Sequence, residues 1–254
     1  MGNSNPKQDL TDDLTVVGRN AVVELLKGGR QVECVYICDD TPARGQPISR
    51  IVAMAKDAGV PVKKVDAKKL DNLSNGLSHQ GVVARAAAYQ YSTLSDIFAK
   101  AGDEAPFIII ADAIEDPHNL GAIIRTAEAA GAHGIVIPKR GSVGLTAIVG
   151  RTSAGAVEHL PVARVTNLVS AIKELKERGV WVYGADMNGA RWETVDLTGP
   201  LALVIGSEGF GISRLVRENC DGILSLPMCG KINSLNASVA AGILMYEAVR
   251  QRTR

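Results

Sequence analysis

A chain of 254 residues has room for one large core or two smaller ones. Its 46 % hydrophobic and 22 % charged residues are ordinary for a globular protein, and 4 % aromatics argue against an RNA-stacking platform built from many Phe and Tyr. A net charge of +1 means that any nucleic-acid site must be a local patch rather than a whole-molecule field.

Residues 1–13 are polar and predict a disordered tail. From Gly18, Ala21, Val22, Leu25 and Leu26 fall at helical spacing until Gly28 and Gly29 stop the helix. Strand patterns follow at 32–37, 60–65 and 81–88, with helices at 48–58 and about 67–73, so that residues 14–88 form a small N-terminal α/β domain. Residues 89–105 read as a linker with one weakly amphipathic stretch at 94–99.

Residues 106–254 alternate more strongly. The run 107–111 is continuously apolar, as a strand covered on both faces requires, and a helix follows at 120–130. Strands at 134–138, 180–184, 201–205 and 222–226 alternate with a helix at 168–178, capped by Thr166 or Asn167, and a terminal helix at 238–252. The alternation predicts a parallel sheet covered by helices, with ligands expected where loops leave the carboxyl ends of its strands.

No pair among Cys34, Cys38, Cys220 and Cys229 has C-x-x-C spacing and no histidine lies nearby to complete a zinc site, so no metal is expected. Neither a signal peptide nor a membrane-spanning run is visible, which makes the cytoplasm the expected compartment. Basic residues that could meet RNA are Lys63, Lys64, Lys68 and Lys69, and at the far end Arg250, Arg252 and Arg254; solvated helix faces account for each of them alone.

Three segments after strand ends carry polar residues that packing does not require. In Glu115–Gly121, Pro117 and Gly121 set a turn and Asn119 could cap the following helix, which carries Arg125. Arg125 either faces a ligand above the sheet or lies along the helix surface. The second segment, Gly206-Ser207-Glu208-Gly209-Phe210-Gly211, has neither the glycine order of a dinucleotide loop nor the Lys of a P-loop, and Glu208 would repel a pyrophosphate. A nucleoside without phosphates suits it better. The third runs from Leu226, Pro227 and Met228 through Ser234, Leu235 and Asn236, where Asn and Ser also serve as helix caps.

In combination these stretches resemble the SpoU/TrmH family of the SPOUT class of RNA methyltransferases, through DPHNLGAIIRTAEAAGAHGIVIP (116–138), LALVIGSEGFGIS (201–213) and LPMCGKINSLNASVAAGILMYEAVRQR (226–252). The segment 17–26 with His79-Gln80-Gly81-Val82-Val83-Ala84 is similar to the RNA-binding domain of the RlmB-type members. The resemblance implies a trefoil knot, a homodimer, S-adenosylmethionine as cofactor and an RNA ribose 2′-hydroxyl as acceptor, most directly a guanosine of 23S rRNA. Gly206, Ser207, Gly209, Leu226, Met228, Leu235 and Asn236 would hold the cofactor. Asn119, Arg125, Glu208, Ser234 and Asn236 would carry or support catalysis, with Asn119 and Glu208 orienting Arg125. A ribosomal RNA adenosine, a transfer RNA or a non-catalytic RNA-binding role are the alternatives, and a nucleotide-dependent dehydrogenase is disfavoured by the glycine order.

Overall fold

The computed structural model describes residues 15–38, 47–231 and 234–253. The tail expected over residues 1–13, and Arg254 among the basic candidates, lie outside them. The chain divides into two units, one comprising the chain up to Gln90 together with Leu145–His159, the other Tyr91–Gly144 and Leu160–Arg254.

In the first unit, β1 (Thr15–Val17), α1 (Arg19–Lys27), β2 (Val32–Ile37), α2 (Ile48–Asp57), β3 (Val62–Lys64), α3 (Ala67–Leu73) and β4 (Val82–Ala86) follow in order. Their sheet runs β1-β4-β2-β3, with β4 antiparallel to both neighbours and β3 parallel to β2. One face packs Val22 and Leu25 of α1 and Ile51 of α2 against Val35, Ile37 and Ala84, while Leu70 of α3 covers Val83 on the other. The His79–Ala84 stretch has a structural task here. Arg19, 2 % exposed, donates through Nε to the Gln80 carbonyl at 2.7 Å, and the Gln80 side chain accepts from the Arg19 amide at 3.1 Å, fixing the start of α1. A helix from later in the chain, Ala147–Thr152 (α6), and the single turn Ala156–Glu158 belong to this unit; His159 binds Glu24 of α1 at 2.8 Å.

The second unit begins inside the expected linker. Leu94–Ala101 form α4, which opens with a reciprocal Thr93–Asp96 capping box and buries Leu94 and Ile97 in the core. Gly134 lies so close that a Cβ there would sit 2.4 Å from Ile97 Cγ1. Then come β5 (Phe107–Ala111), α5 (Pro117–Ala129), β6 (Gly134–Pro138), β7 (Val162–Val165), α7 (Leu168–Glu177), β8 (Trp181–Arg191), β9 (Leu201–Ile205), α8 (Arg214–Asn219), β10 (Gly222–Ser225) and α9 (Ala237–Arg252). The sheet is parallel throughout, in the order β10-β8-β9-β5-β6-β7. Every residue of the central strands β5 and β9 is buried, which accounts for their unbroken apolar runs. From β5 the chain winds outward through β6 to β7, then restarts beyond β9, so the winding direction reverses between β5 and β9. In open parallel sheets that reversal opens a crevice at the strands' carboxyl ends.

Two of the basic candidates are already committed. Arg250 is paired with the buried carboxylate of Glu247 at 2.6 Å. Arg252 donates to the Gly199 carbonyl at 2.6 Å and the Leu197 carbonyl at 3.2 Å, tying the last turn of α9 to the loop before β9.

Candidate active site

Asn119 does not cap α5. Asp116 does, accepting from the His118 amide at 2.9 Å, with Pro117 in the first turn where its missing N–H costs nothing. Asn119 is thereby set inside the helix and buried, with its amide free to reach out of the crevice. Its Nδ2 donates to Glu208 Oε1 at 2.9 Å, which joins the first turn of α5 to the loop after β9 across the reversal point. Asn236 completes the cluster. Its Nδ2 donates to Asn119 Oδ1 at 2.9 Å and also to Glu208 Oε1. Its Oδ1 meanwhile caps α9, accepting from the Ser238 and Val239 amides at 3.0 and 3.2 Å. Capping and site-building are therefore both true of Asn236, each served by a different atom.

The Glu208 loop is held from both sides. Ser207 and Gly211 exchange backbone hydrogen bonds of 3.1 and 2.8 Å, and buried Asp112 accepts from the Ser213 amide at 2.7 Å. Gly206 must be glycine, because a Cβ would stand 2.1 Å from the Gly211 carbonyl carbon.

Beside this loop opens a cavity of about 320 Å³, within the range of small-molecule sites. Six of the seven expected cofactor positions line it, namely Gly206, Ser207, Gly209, Leu226, Met228 and Leu235. Glu208 and Ser234 line it too, whereas Asn236 and Asn119 stand behind Glu208. Asn233, next to Ser234, lies outside the described residues.

Arg125 is not where the expected pairing puts it. It is exposed on α5 and has no hydrogen-bond or ion-pair partner among the described residues. Six residues separate it from Asn119, and at about 100° per residue the two point to different sides of the helix. Asn119 and Glu208 thus orient Asn236 and each other, not Arg125.

Sequence reasoning missed the fourth wall. Strand β8 runs past Gly184, and its pairing with β10 jumps from Gly184↔Ile223 to Ala190↔Leu224. Residues 185–189 bulge out between those pairs, and Ala185, Asp186, Met187 and Asn188 line the cavity. The bulge closes at Gly189, whose Cβ would meet the Ile223 carbonyl at 2.4 Å. Burial alone would raise the Asp186 pKa, but the Asn188 amide and Arg217 outweigh it and hold the carboxyl below its ordinary value. A polar Asp-Met-Asn-Gly run directly after a parallel strand was the available signal.

The cavity therefore presents apolar side chains, glycine backbone and the carboxylates of Asp186 and Glu208, the first paired with Arg217. Among the described residues no group of His, Cys, Asp or Glu could hold a metal ion. Residues 106–246 match the SpoU rRNA Methylase family and residues 15–92 match the RNA 2′-O ribose methyltransferase substrate binding domain. The chain belongs to the SpoU rRNA methylase family. It is 52 % identical over 240 residues, covering 93 % of this chain and 95 % of the relative, to YacO of Bacillus subtilis (strain 168), named as a TrmH family tRNA/rRNA methyltransferase. Among solved structures it resembles the SpoU methyltransferase AviRb from Streptomyces viridochromogenes in complex with AdoMet (TM-score 0.79, 26 % identity, covering 99 % of this chain and 95 % of that one). It is similar also to an AdoMet-bound rRNA methyltransferase from Sinorhizobium meliloti (TM-score 0.78, 26 % identity, covering 97 % and 90 %).

Proposed function

We infer that this protein transfers a methyl group from S-adenosylmethionine to a ribose 2′-hydroxyl of RNA, with a guanosine of 23S rRNA as the target, as in the RlmB-type branch. The observation that carries the reading is the Asn119–Glu208–Asn236 cluster beside a cavity lined by apolar side chains, glycine backbone and two carboxylates. The substrate-binding match over residues 15–92 supports an RNA partner, taken by an N-terminal domain over 14–88, with the chemistry in 106–254. The same reading carries a cytoplasmic homodimer and a knotted chain path around the cavity. Val239 and Tyr246, each about half exposed and seven residues apart on α9, offer such a dimer an apolar stripe.

S-adenosylmethionine supplies a methyl group already activated by the positive sulfur. What this chain must add is alignment, exclusion of water and help for the hydroxyl in losing its proton. Gly206 and Gly209 would let backbone approach the cofactor, and Leu226, Met228 and Leu235 would give it an apolar wall. Glu208, held by two amide donors, fixes the loop and the start of α9 relative to each other. Arg125, exposed and uncommitted among the described residues, does not line the cavity of its own chain, so in this reading it would act across the homodimer, gripping the phosphate next to the target ribose and stabilising the developing alkoxide, with the phosphate or a water taking the proton because a guanidinium is not a base near neutrality. Ser234, which lines the cavity, would help to hold the cofactor loop.

The test is to incubate the protein with methyl-labelled S-adenosylmethionine and ribosomal RNA from a strain lacking the endogenous enzyme, then digest the RNA to nucleosides. Label on a guanosine ribose of large-subunit RNA is the expected result. Label on an adenosine ribose keeps the chemistry and changes the target. Failure to bind the cofactor at all overturns the reading.

A further inference from the structure

Four large hydrophobic side chains stand exposed around one feature. Met187, Phe210, Met228 and Leu235 are 55, 96, 36 and 38 % exposed, and all border the cavity. Phe210 is the extreme case. The other two phenylalanines are packed, Phe107 at 1 % exposure and Phe98 against the core. Leaving a Phe in water forgoes the burial that normally stabilises it. The Ser207–Gly211 backbone pair clamps the turn, and the Phe210 amide donates to Ser207 Oγ at 3.4 Å.

An exposed aromatic at the rim suits an unstacked nucleic-acid base, since every base offers a π-face. The reaction itself names the occupant. A ribose presented to the cavity carries its base by a covalent bond, so that base arrives at the rim. The geometry points to Phe210 as the platform on which the base of the target nucleotide stacks, positioning its ribose over the cavity. Met187 and Met228, adaptable and polarizable, flank it. Aromatics too scarce to build a broad platform are sufficient for a single finger. Stacking tolerates any base, so Phe210 is a positioning residue that leaves the choice of nucleotide to other contacts.

This inference rests on the ribose methyltransferase reading, and its test separates the two. In the full chain, Phe210→Ala should raise KM for ribosomal RNA about ten-fold or more and leave S-adenosylmethionine affinity within about two-fold. Phe210→Trp should restore KM. With Trp181 and Trp192 replaced by Phe, the emission of that new indole should be quenched when ribosomal RNA is added, a readout that needs no methyl transfer. An unchanged RNA KM for Phe210→Ala, or no quenching in Phe210→Trp, overturns the inference. Cofactor affinity lost in step with RNA affinity would make Phe210 a lid over the cofactor instead. A shift of Phe210→Ala to a smaller species in sedimentation would make a second copy of the chain the occupant. Absence of methyl transfer by the unmutated protein, with quenching intact, would sink the functional reading alone.

Discussion

Asn236 divides its side chain between two tasks, and the division can be measured. Asn236→Ala removes both the cap of α9 and the amide donors to Asn119 and Glu208, so unfolding free energy should fall by about 1–2 kcal/mol and turnover should fall with it. Asn236→Asp keeps a capping oxygen but places a carboxylate against Glu208. It should hold α9 and still lose turnover; an Asp variant with normal turnover would show that the Nδ2 bonds play no part in the chemistry. Arg125 gives a second contrast. Lysine keeps the charge but not the planar fork, so Arg125→Lys should lower kcat about 100-fold while cofactor affinity, measured by calorimetry, changes little. A kcat within three-fold of the unmutated protein, on the order of what exposed substitutions leave untouched, would remove Arg125 from the site.

At the scale of elements, the cavity depends on close backbone approaches that only glycine permits. Gly189→Ala would drive a Cβ into the Ile223 carbonyl and push the 185–189 bulge off β10. Cofactor affinity should drop about ten-fold or more, with Asp186 and Asn188 displaced from the wall; unaltered affinity would mean that the bulge does not contribute to binding. The strands Phe107–Ala111, Gly134–Pro138 and Leu201–Ile205 were legible to the residue, because a strand buried on both faces is an apolar run with sharp ends. Short pieces were not. Arg214–Asn219 and Val162–Val165 carry too few residues to set a period, and Ala147–Thr152 is defined by packing within the first unit. Leu94–Ala101 reads as a linker because its eight residues give only about two turns of amphipathic pattern, although Leu94 and Ile97 are buried in the core. The glycine loop 206–211 and the segments around Leu226–Met228 and Ser234–Leu235 are legible in the sequence and line three walls of the cavity. The fourth stayed hidden since Gly184 reads as the end of a strand that in fact continues, and the Arg125 pairing failed because helical phase turns position 125 away from 119.

For the molecule as a whole, stability should depend on pH through His133. Burial, opposed only in part by Glu104, lowers its pKa below the ordinary 6.5, and its Nδ1 accepts from the Phe107 amide at 2.9 Å, which requires the neutral ring. Folded and unfolded chains both hold it neutral well above that value. As pH falls through 6.5 the unfolded chain takes up the proton first, so stability is lost on the acid side. Thermal melts at neutral pH and about one unit below the ordinary imidazole value should separate more for the unmutated protein than for His133→Asn; equal separations would exclude His133 as the cause. The central claim, that the methyl group goes to a ribose oxygen, is tested most directly by alkaline hydrolysis of RNA labelled by this protein. A methylated 2′-oxygen cannot attack the neighbouring phosphate, so the label should be recovered in alkali-stable dinucleotides. Label recovered only in mononucleotides would mean methylation of a base and would contradict the account.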